Sequence, residues 1–252
     1  MSYLFDGVDD QIRTSIGGQN FNTAVTMAVL CKFAAGRDSA WNGMTTCMTS
    51  GGAGRGYGLD KTAANKVGFL NDGSAARATT TTTTSSDNWC LHVATKATGS
   101  VTPKYHRYKF DTTTWVTGEN FDGTVANPTA PGGTGLVQLG GDSGASDWFA
   151  GRLAVIAYWN SVLSDANILT LIASFTRTNW LSLTPTGLWD ATDQFATDQT
   201  GNGATRTLLT GTTSDADDPT GWASWAGAGA ATSHVRPRRY RTYAGLQLRG
   251  RR

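Results

Sequence analysis

One glutamate, Glu119, stands among the 19 acidic residues of this chain, and the other 18 are aspartates. A reaction that needs two glutamates, one to attack or act as base and one to protonate, cannot be assembled here. The aspartates gather instead, Asp6, Asp9 and Asp10 within five residues and Asp215, Asp217 and Asp218 within four. Neither group has the full ligand spacing of a calcium-binding loop. Turn-forming aspartates bonded to their own backbone explain the same residues without a metal, so no cofactor is required. DQTGNGATRTLL (198–209) begins like an EF-hand loop at Asp198, Thr200, Asn202 and Gly203, but its twelfth position is Leu209 where a bidentate Glu is needed. The tetrad GDSG at 141–144 has the form of a serine nucleophile turn. It lacks an accompanying histidine segment, and Ser143 is followed by Gly-Ala, so it reads as a hairpin turn. His92, His106 and His234 have no metal spacing, and no catalytic residue is assigned.

Holding such groups in place requires a core. At 252 residues and 39% hydrophobic content, the chain can bury one good core or two modest ones, which excludes disorder throughout. Only 16% of residues are charged, whereas there are 31 Gly and 39 Thr, a balance that favours strands and turns. Cys31, Cys47 and Cys90 are odd in number and lack zinc-ribbon spacing, so they are expected reduced and packed. The segment MSYLFDGVDD has no leader pattern, and apolar runs such as Leu153 to Trp159 are too short to span a bilayer. The expectation is synthesis in a cytoplasm without a signal peptide.

In AVTMAVLCKF (24–33), Val25, Met27, Val29, Cys31 and Phe33 alternate with Ala24, Thr26, Ala28, Leu30 and Lys32, which predicts a half-buried strand with Cys31 inward. Further strands are predicted at Tyr3 to Arg13, Gly56 to Leu59, Lys66 to Leu70, Trp89 to Thr95, Lys104 to Phe110, Gly135 to Leu139 and Arg152 to Trp159. The threonine run Thr79 to Thr84 reads as a polar edge strand, because β-branched residues favour extended backbone. After Ser164, a plausible N-cap, Ile168, Leu171, Ile172 and Phe175 fall at i, i+3, i+4 and i+7, the spacing of one helix lying across the sheet ends. Many short strands at turn-punctuated spacing mean an all-β sandwich or jelly roll.

Three segments, FDGVDDQI (5–12), WCLHVA (89–94) and GRLAVIAYWNSVLSDANI (151–168), resemble in order and spacing the motifs FDGxDDYV, WHHVA and GxIDEVRIYNRALSDAEI. These belong to bacterial and phage members of the laminin-G-like, concanavalin-A-like jelly-roll superfamily. The resemblance covers about residues 3–175 and implies a jelly-roll sandwich, to which the residue pattern adds one short helix and an extended basic C-terminal arm. Many laminin-G-like domains hold one Ca²⁺ at the rim through Asp side chains and backbone carbonyls, so the resemblance makes Asp6, Asp9 and Asp10 the candidate calcium ligands. Members usually carry a segment like GLVAYWPLDEGSG before the FDG strand, whereas here GLWDATDQFATDQTGNGATRTLLTG (187–211) follows the helix. It either supplies the missing edge strands, in its own subunit or a neighbour's, or forms a small appended β-element. The expected units are a jelly roll over 1–178, a Trp/Thr/Gly-rich extension over 179–232 and the arm over 233–252. Jelly-roll glucanases of the superfamily use a Glu, Asp, Glu constellation that Glu119 alone cannot complete.

Sugar sites place aromatic faces beside polar acceptors, and Trp41, Trp115 and Trp148, expected in Gly-, Thr- and Asn-rich loops, are the candidate glycan contacts. The last twenty residues hold seven arginines and no acid, against 14 basic and 19 acidic residues in 1–232. Arg236, Arg238, Arg239, Tyr240, Arg241, Tyr243, Arg249, Arg251 and Arg252 are expected to form an arm that pairs with carboxylates of neighbouring protein, in preference to nucleic acid. The resemblance thus implies a non-enzymatic phage virion component, a minor tail or head decoration protein at the particle surface. Its expected partners are other virion subunits, including copies of itself, and host-surface glycans, with no membrane. A free lectin-like protein and an atypical glycoside hydrolase are the alternatives.

Overall fold

The β-branched and alternating runs form strands, and the chain reverses where Gly, Asn and Asp cluster. The computed structural model describes residues 2–15, 24–36, 42–48, 55–71, 77–84, 88–125, 136–140, 148–173, 175–202, 206–219 and 222–225. Its strands are β1 (Ser2–Asp6), β2 (Gln11–Ser15), β3 (Val25–Phe33), β4 (Asn42–Met48), β5 (Arg55–Lys61), β6 (Lys66–Asn71), β7 (Arg77–Thr83) and β8 (Cys90–Lys96). There follow β9 (Lys104–Lys109), β10 (Thr114–Asn120), β11 (Leu136–Leu139), β12 (Ala150–Trp159), helices α1 (Asp165–Ala173) and α2 (Arg177–Ser182), then β13 (Gly187–Asp190), β14 (Arg206–Thr210), β15 (Thr213–Asp215) and helix α3 (Trp222–Trp225). One antiparallel sheet runs β10-β9-β8-β3-β12-β1-β15, with β13 also paired to β12, and the other runs β14-β2-β11-β4-β5-β6-β7. The chain is an all-β, laminin-G-like jelly-roll sandwich.

Where a single strand was expected over Tyr3 to Arg13, the structure has two, one in each sheet. The break lies at Gly7, whose φ of 80° only glycine adopts without strain, beside Asp6, whose carboxylate accepts the Val8 N–H. The 24–33 segment is buried on both faces instead of one. Cys31 faces the opposite sheet, its Sγ 3.8 Å from Met44 Sδ, while Thr26 on the other face is roofed by the chain after β12. All three cysteines are free and buried, and burial pushes the Cys47 and Cys90 thiols up to about 12 and about 11.

Helices α1 and α2 lie on this outer face. Ile168 and Leu171 of α1 are buried as the periodicity predicts, whereas Phe175 falls beyond the helix. Trp180 of α2 packs on Trp159, with centroids 6.3 Å apart, and donates from its indole to Leu171 O. α3 adds Trp225 against Trp180 at 5.1 Å. Trp225 Nε1 also reaches the fully buried Asp190, which pairs with Arg177 at 2.8 Å. These polar tips find partners, so the large rings contribute their apolar area without stranding a donor.

The segment 187–211 adds strands to both sheets within the chain. Leu188 lies opposite Ala157 of β12 and Leu208 opposite Arg13 of β2, while the strand beside β1 is β15, just past this segment. A turn at Gly211 and Thr212 thus joins the two sheet edges on one side. On the other side β7, the predicted polar edge strand, is stitched to the opposite sheet by a Thr79–Asp122 bridge and by Glu119. Covered edges of this kind blunt strand-to-strand aggregation.

Candidate functional site

Glu119 is in strand β10, not in a loop, and its carboxylate is occupied. Oε1 accepts from Thr81 N at 2.5 Å, Thr81 Oγ1 at 2.7 Å and Thr82 N at 2.9 Å, and Oε2 accepts from Thr82 Oγ1 at 2.6 Å. Partial burial alone would raise its pKa, but the bonds from Thr82 and Thr81 hold it below the usual range, the opposite of what a proton donor requires.

Asp6, Asp9 and Asp10 do come together, with one carboxylate oxygen of each within 4.8 Å of the others. Burial raises the Asp10 pKa, and the charges of Asp6 and Asp9 add to the rise, so this is a site of concentrated negative charge whose hard oxygen donors fit Ca²⁺. Asp10 Oδ2 also accepts the Asp6 N–H at 2.7 Å, the turn-closing bond that serves the fold without a metal. The second aspartate group is taken up by cations. Asp217 accepts from Lys32 Nζ at 2.9 Å and Trp89 Nε1 at 3.2 Å, and Arg152 lies 3.2 Å from Asp215 and 3.5 Å from Asp217. Asp198 is likewise spent on the Leu188 and Thr200 N–H groups and the Thr200 hydroxyl.

Of the predicted glycan contacts, Trp41 lies outside the described residues, as do Ser143, His234 and the whole arm with Arg236, Arg238, Arg239, Tyr240, Arg241, Tyr243, Arg249, Arg251 and Arg252. Trp115 is in strand β10 where a loop was expected, half-buried and packed on Tyr108 with centroids 5.6 Å apart. Trp148 is half-buried just ahead of β12, four strands away in the sheet order, or about 19 Å at the usual strand spacing. Trp115 and Trp148 therefore do not form one site. His92 is a core residue, its Nδ1 2.7 Å from Tyr105 Oη, and burial lowers its pKa to about 3.

A cleft of about 290 Å³ opens elsewhere, between the β8–β9 turn and the start of α1, lined by residues such as Thr95, Ser100, Lys104, Val162, Ser164 and Asp165. Its walls are placed by short-range bonds. Thr95 and Lys104 face each other across the hairpin, and on its other side Thr95 pairs with Thr26. The Thr26 hydroxyl donates to Ser161 O at 2.7 Å and accepts the Leu163 N–H at 2.9 Å, which pins the approach to α1 beside the hairpin. Ser164 caps α1 by accepting the Asn167 N–H at 3.2 Å. The Asp165 carboxylate projects from the first helical turn and is 64% exposed. Beneath it lies His106, 1% exposed, with Nδ1 accepting the Gly118 N–H at 3.1 Å and Nε2 3.8 Å from Asp165.

Two features set this cleft apart. Lys104 and Asp165, of opposite charge, both border the cleft beside Thr95, which is 4% exposed. Of the four exposed large apolar side chains among the described residues, Val162 borders the cleft, Val101 lies in the chain between its lining residues Ser100 and Thr102, and Leu169 lies one helical turn beyond Asp165. Sequence reading missed Thr95 and Lys104, and took Ser164 and Asp165 only as a cap. The available signal was the hairpin placing Thr95 opposite Lys104.

No family model matches the chain, and no curated protein matches it by sequence. Solved structures do share its fold. A Bacteroides ovatus protein provisionally described as carbohydrate-binding aligns over 87% of this chain and 61% of its own, with TM-score 0.56 and 14% identity. The CBM40 of Ruminococcus gnavus IT-sialidase, bound to α2,3-sialyllactose, aligns over 68% of this chain and 97% of its own, with TM-score 0.49 and 12% identity. The LG1-3 region of the laminin α2 chain aligns over 64% of this chain and 31% of its own, with TM-score 0.44 and 13% identity. The chain thus spans about three fifths of the B. ovatus protein and about a third of the laminin region.

Proposed function

We propose that this protein is a non-enzymatic structural component of a phage virion, a minor tail or head decoration protein. In this reading its jelly roll binds glycans at the α1 cleft and its C-terminal arm docks on neighbouring virion subunits. The observation that carries the glycan part is the open cleft itself, where Thr95, Ser100, Lys104, Ser164 and Asp165 set hydrogen-bonding groups around the apolar Val162. Lys104 donates, Asp165 accepts, and the exposed Val162 supplies apolar contact for the C–H face of a sugar ring. Support for the non-enzymatic part comes from Glu119, whose carboxylate is fully engaged in holding two strands together. The arm and the virion setting rest on the sequence resemblance and on the arginine-rich end of the chain. A single shallow site of this kind binds weakly, and repetition over a particle surface supplies avidity.

A glycan array probed with the full chain and with Thr95→Val tests the binding. Signal that drops in the variant is expected, and equal signal from both refutes the cleft as the site. Particle incorporation of a chain ending at Ser233 tests the arm. Loss of incorporation with glycan binding retained is expected, and unchanged incorporation retires the assembly reading in favour of a free lectin.

A further inference from the structure

We propose that the cleft takes one neutral pyranose residue at a glycan end and discriminates against acidic sugars, an inference that rests on the glycan-binding reading. Its polar lining is charge-balanced. Lys104 contributes one positive charge and forms no ion pair among the described residues, and Asp165 contributes one negative charge. His106 adds none. Because the Gly118 N–H donates to Nδ1, that nitrogen carries no proton, and the single proton of the neutral ring sits on Nε2, facing Asp165 at 3.8 Å. A second proton on Nδ1 would point at the Gly118 N–H. The ring is therefore a neutral neighbour of the carboxylate and leaves its charge in place.

A ligand carboxylate entering this space gains Lys104 but meets Asp165 within the same 290 Å³, where like charges repel. A neutral sugar meets no such opposition. Its hydroxyls donate to Asp165 and accept from Lys104 in charge-assisted bonds, and the hydroxyls of Thr95, Ser100 and Ser164 can serve either role. Discrimination between neutral and acidic sugars thus resides chiefly in Asp165.

Isothermal titration of the full chain with methyl β-D-glucopyranoside and with methyl β-D-glucuronide, which differ at C6 alone, tests this at neutral pH. The glucoside is expected to bind about tenfold more tightly, a difference of 1.4 kcal/mol. Asp165→Asn, at an exposed position, is expected to close most of that gap by strengthening the glucuronide, and Lys104→Gln to weaken the glucuronide more than the glucoside. Glucuronide binding as tight as the glucoside, or a gap unchanged in Asp165→Asn, overturns the inference and leaves glycan binding standing. Binding of neither sugar into the tens of millimolar, with an array that is also blank, overturns the glycan reading itself.

Discussion

Glu119→Gln and Glu119→Ala separate a structural clamp from a catalytic acid. The carboxylate accepts four hydrogen bonds, two from backbone N–H groups and two from hydroxyls of Thr81 and Thr82, and it joins β10 of one sheet to β7 of the other. Thr81 and Thr82 are exposed, so water replaces part of what the carboxylate supplies, and each bond nets about 0.5 kcal/mol, the low end of the usual range. Glu119→Ala should then cost about 2 kcal/mol and Glu119→Gln, which keeps one carbonyl acceptor, about 1 kcal/mol. In a chain of this size these losses lower the melting temperature by about 4–8 °C and 2–4 °C. The pH dependence follows from the sign of the shift. The folded-state pKa of Glu119 is held below its unfolded value, so its contribution is complete above the unfolded value, near 4.3, and disappears as pH falls through the folded one. Thermal melts of wild type and Glu119→Gln from pH 7 downward should converge in acid. Equal stability at pH 7, or a gap that persists in acid, refutes the clamp. Measurable glycoside hydrolysis by wild type that vanishes in Glu119→Gln refutes the non-enzymatic reading.

Two further changes test the core and the sheet junction. His92 is fully buried and holds off its proton to about 3, whereas the unfolded chain takes one up near 6.5, so stability should decline as pH falls below about 6.5. His92→Gln should flatten that slope in urea titrations at a series of pH values, and an unchanged slope contradicts the assignment. Gly211, at φ 68° between β14 and β15, has no room for a side chain, because a Cβ there would sit 1.5 Å from Asp10 Oδ1. Gly211→Ala should cost about 2 kcal/mol by urea denaturation. Part of that loss should return when Asp10→Ser removes the collision, and a neutral Gly211→Ala contradicts the packing.

Most strands were legible because alternation and turn residues are local signals, and the three jelly-roll motifs tied them to one architecture. The unexpected features are long-range. Tyr3 to Arg13 reads as one strand until Gly7 turns and sends β2 to the opposite sheet. The 24–33 alternation predicts one wet face, but that face is roofed by the chain after β12 and by the tryptophans of α2 and α3, which no local pattern announces. Asp6, Asp9 and Asp10 were recognisable as a group from their spacing. Thr95 and Lys104 were not, since one threonine among 39 and one exposed lysine carry no signal until a hairpin opposes them and Thr26 brings Ser164 and Asp165 alongside.

The most direct test of the central claim is an amide-resonance titration of the full chain with methyl β-D-glucopyranoside. Glycan binding at the cleft predicts saturable shifts confined to Thr95, Ala97 to Lys104 and Val162 to Asp165, weakened about fivefold in Thr95→Val by loss of one hydrogen bond. Shifts that appear elsewhere on the sandwich, that grow without saturating, or that are matched by glycerol at equal concentration contradict it.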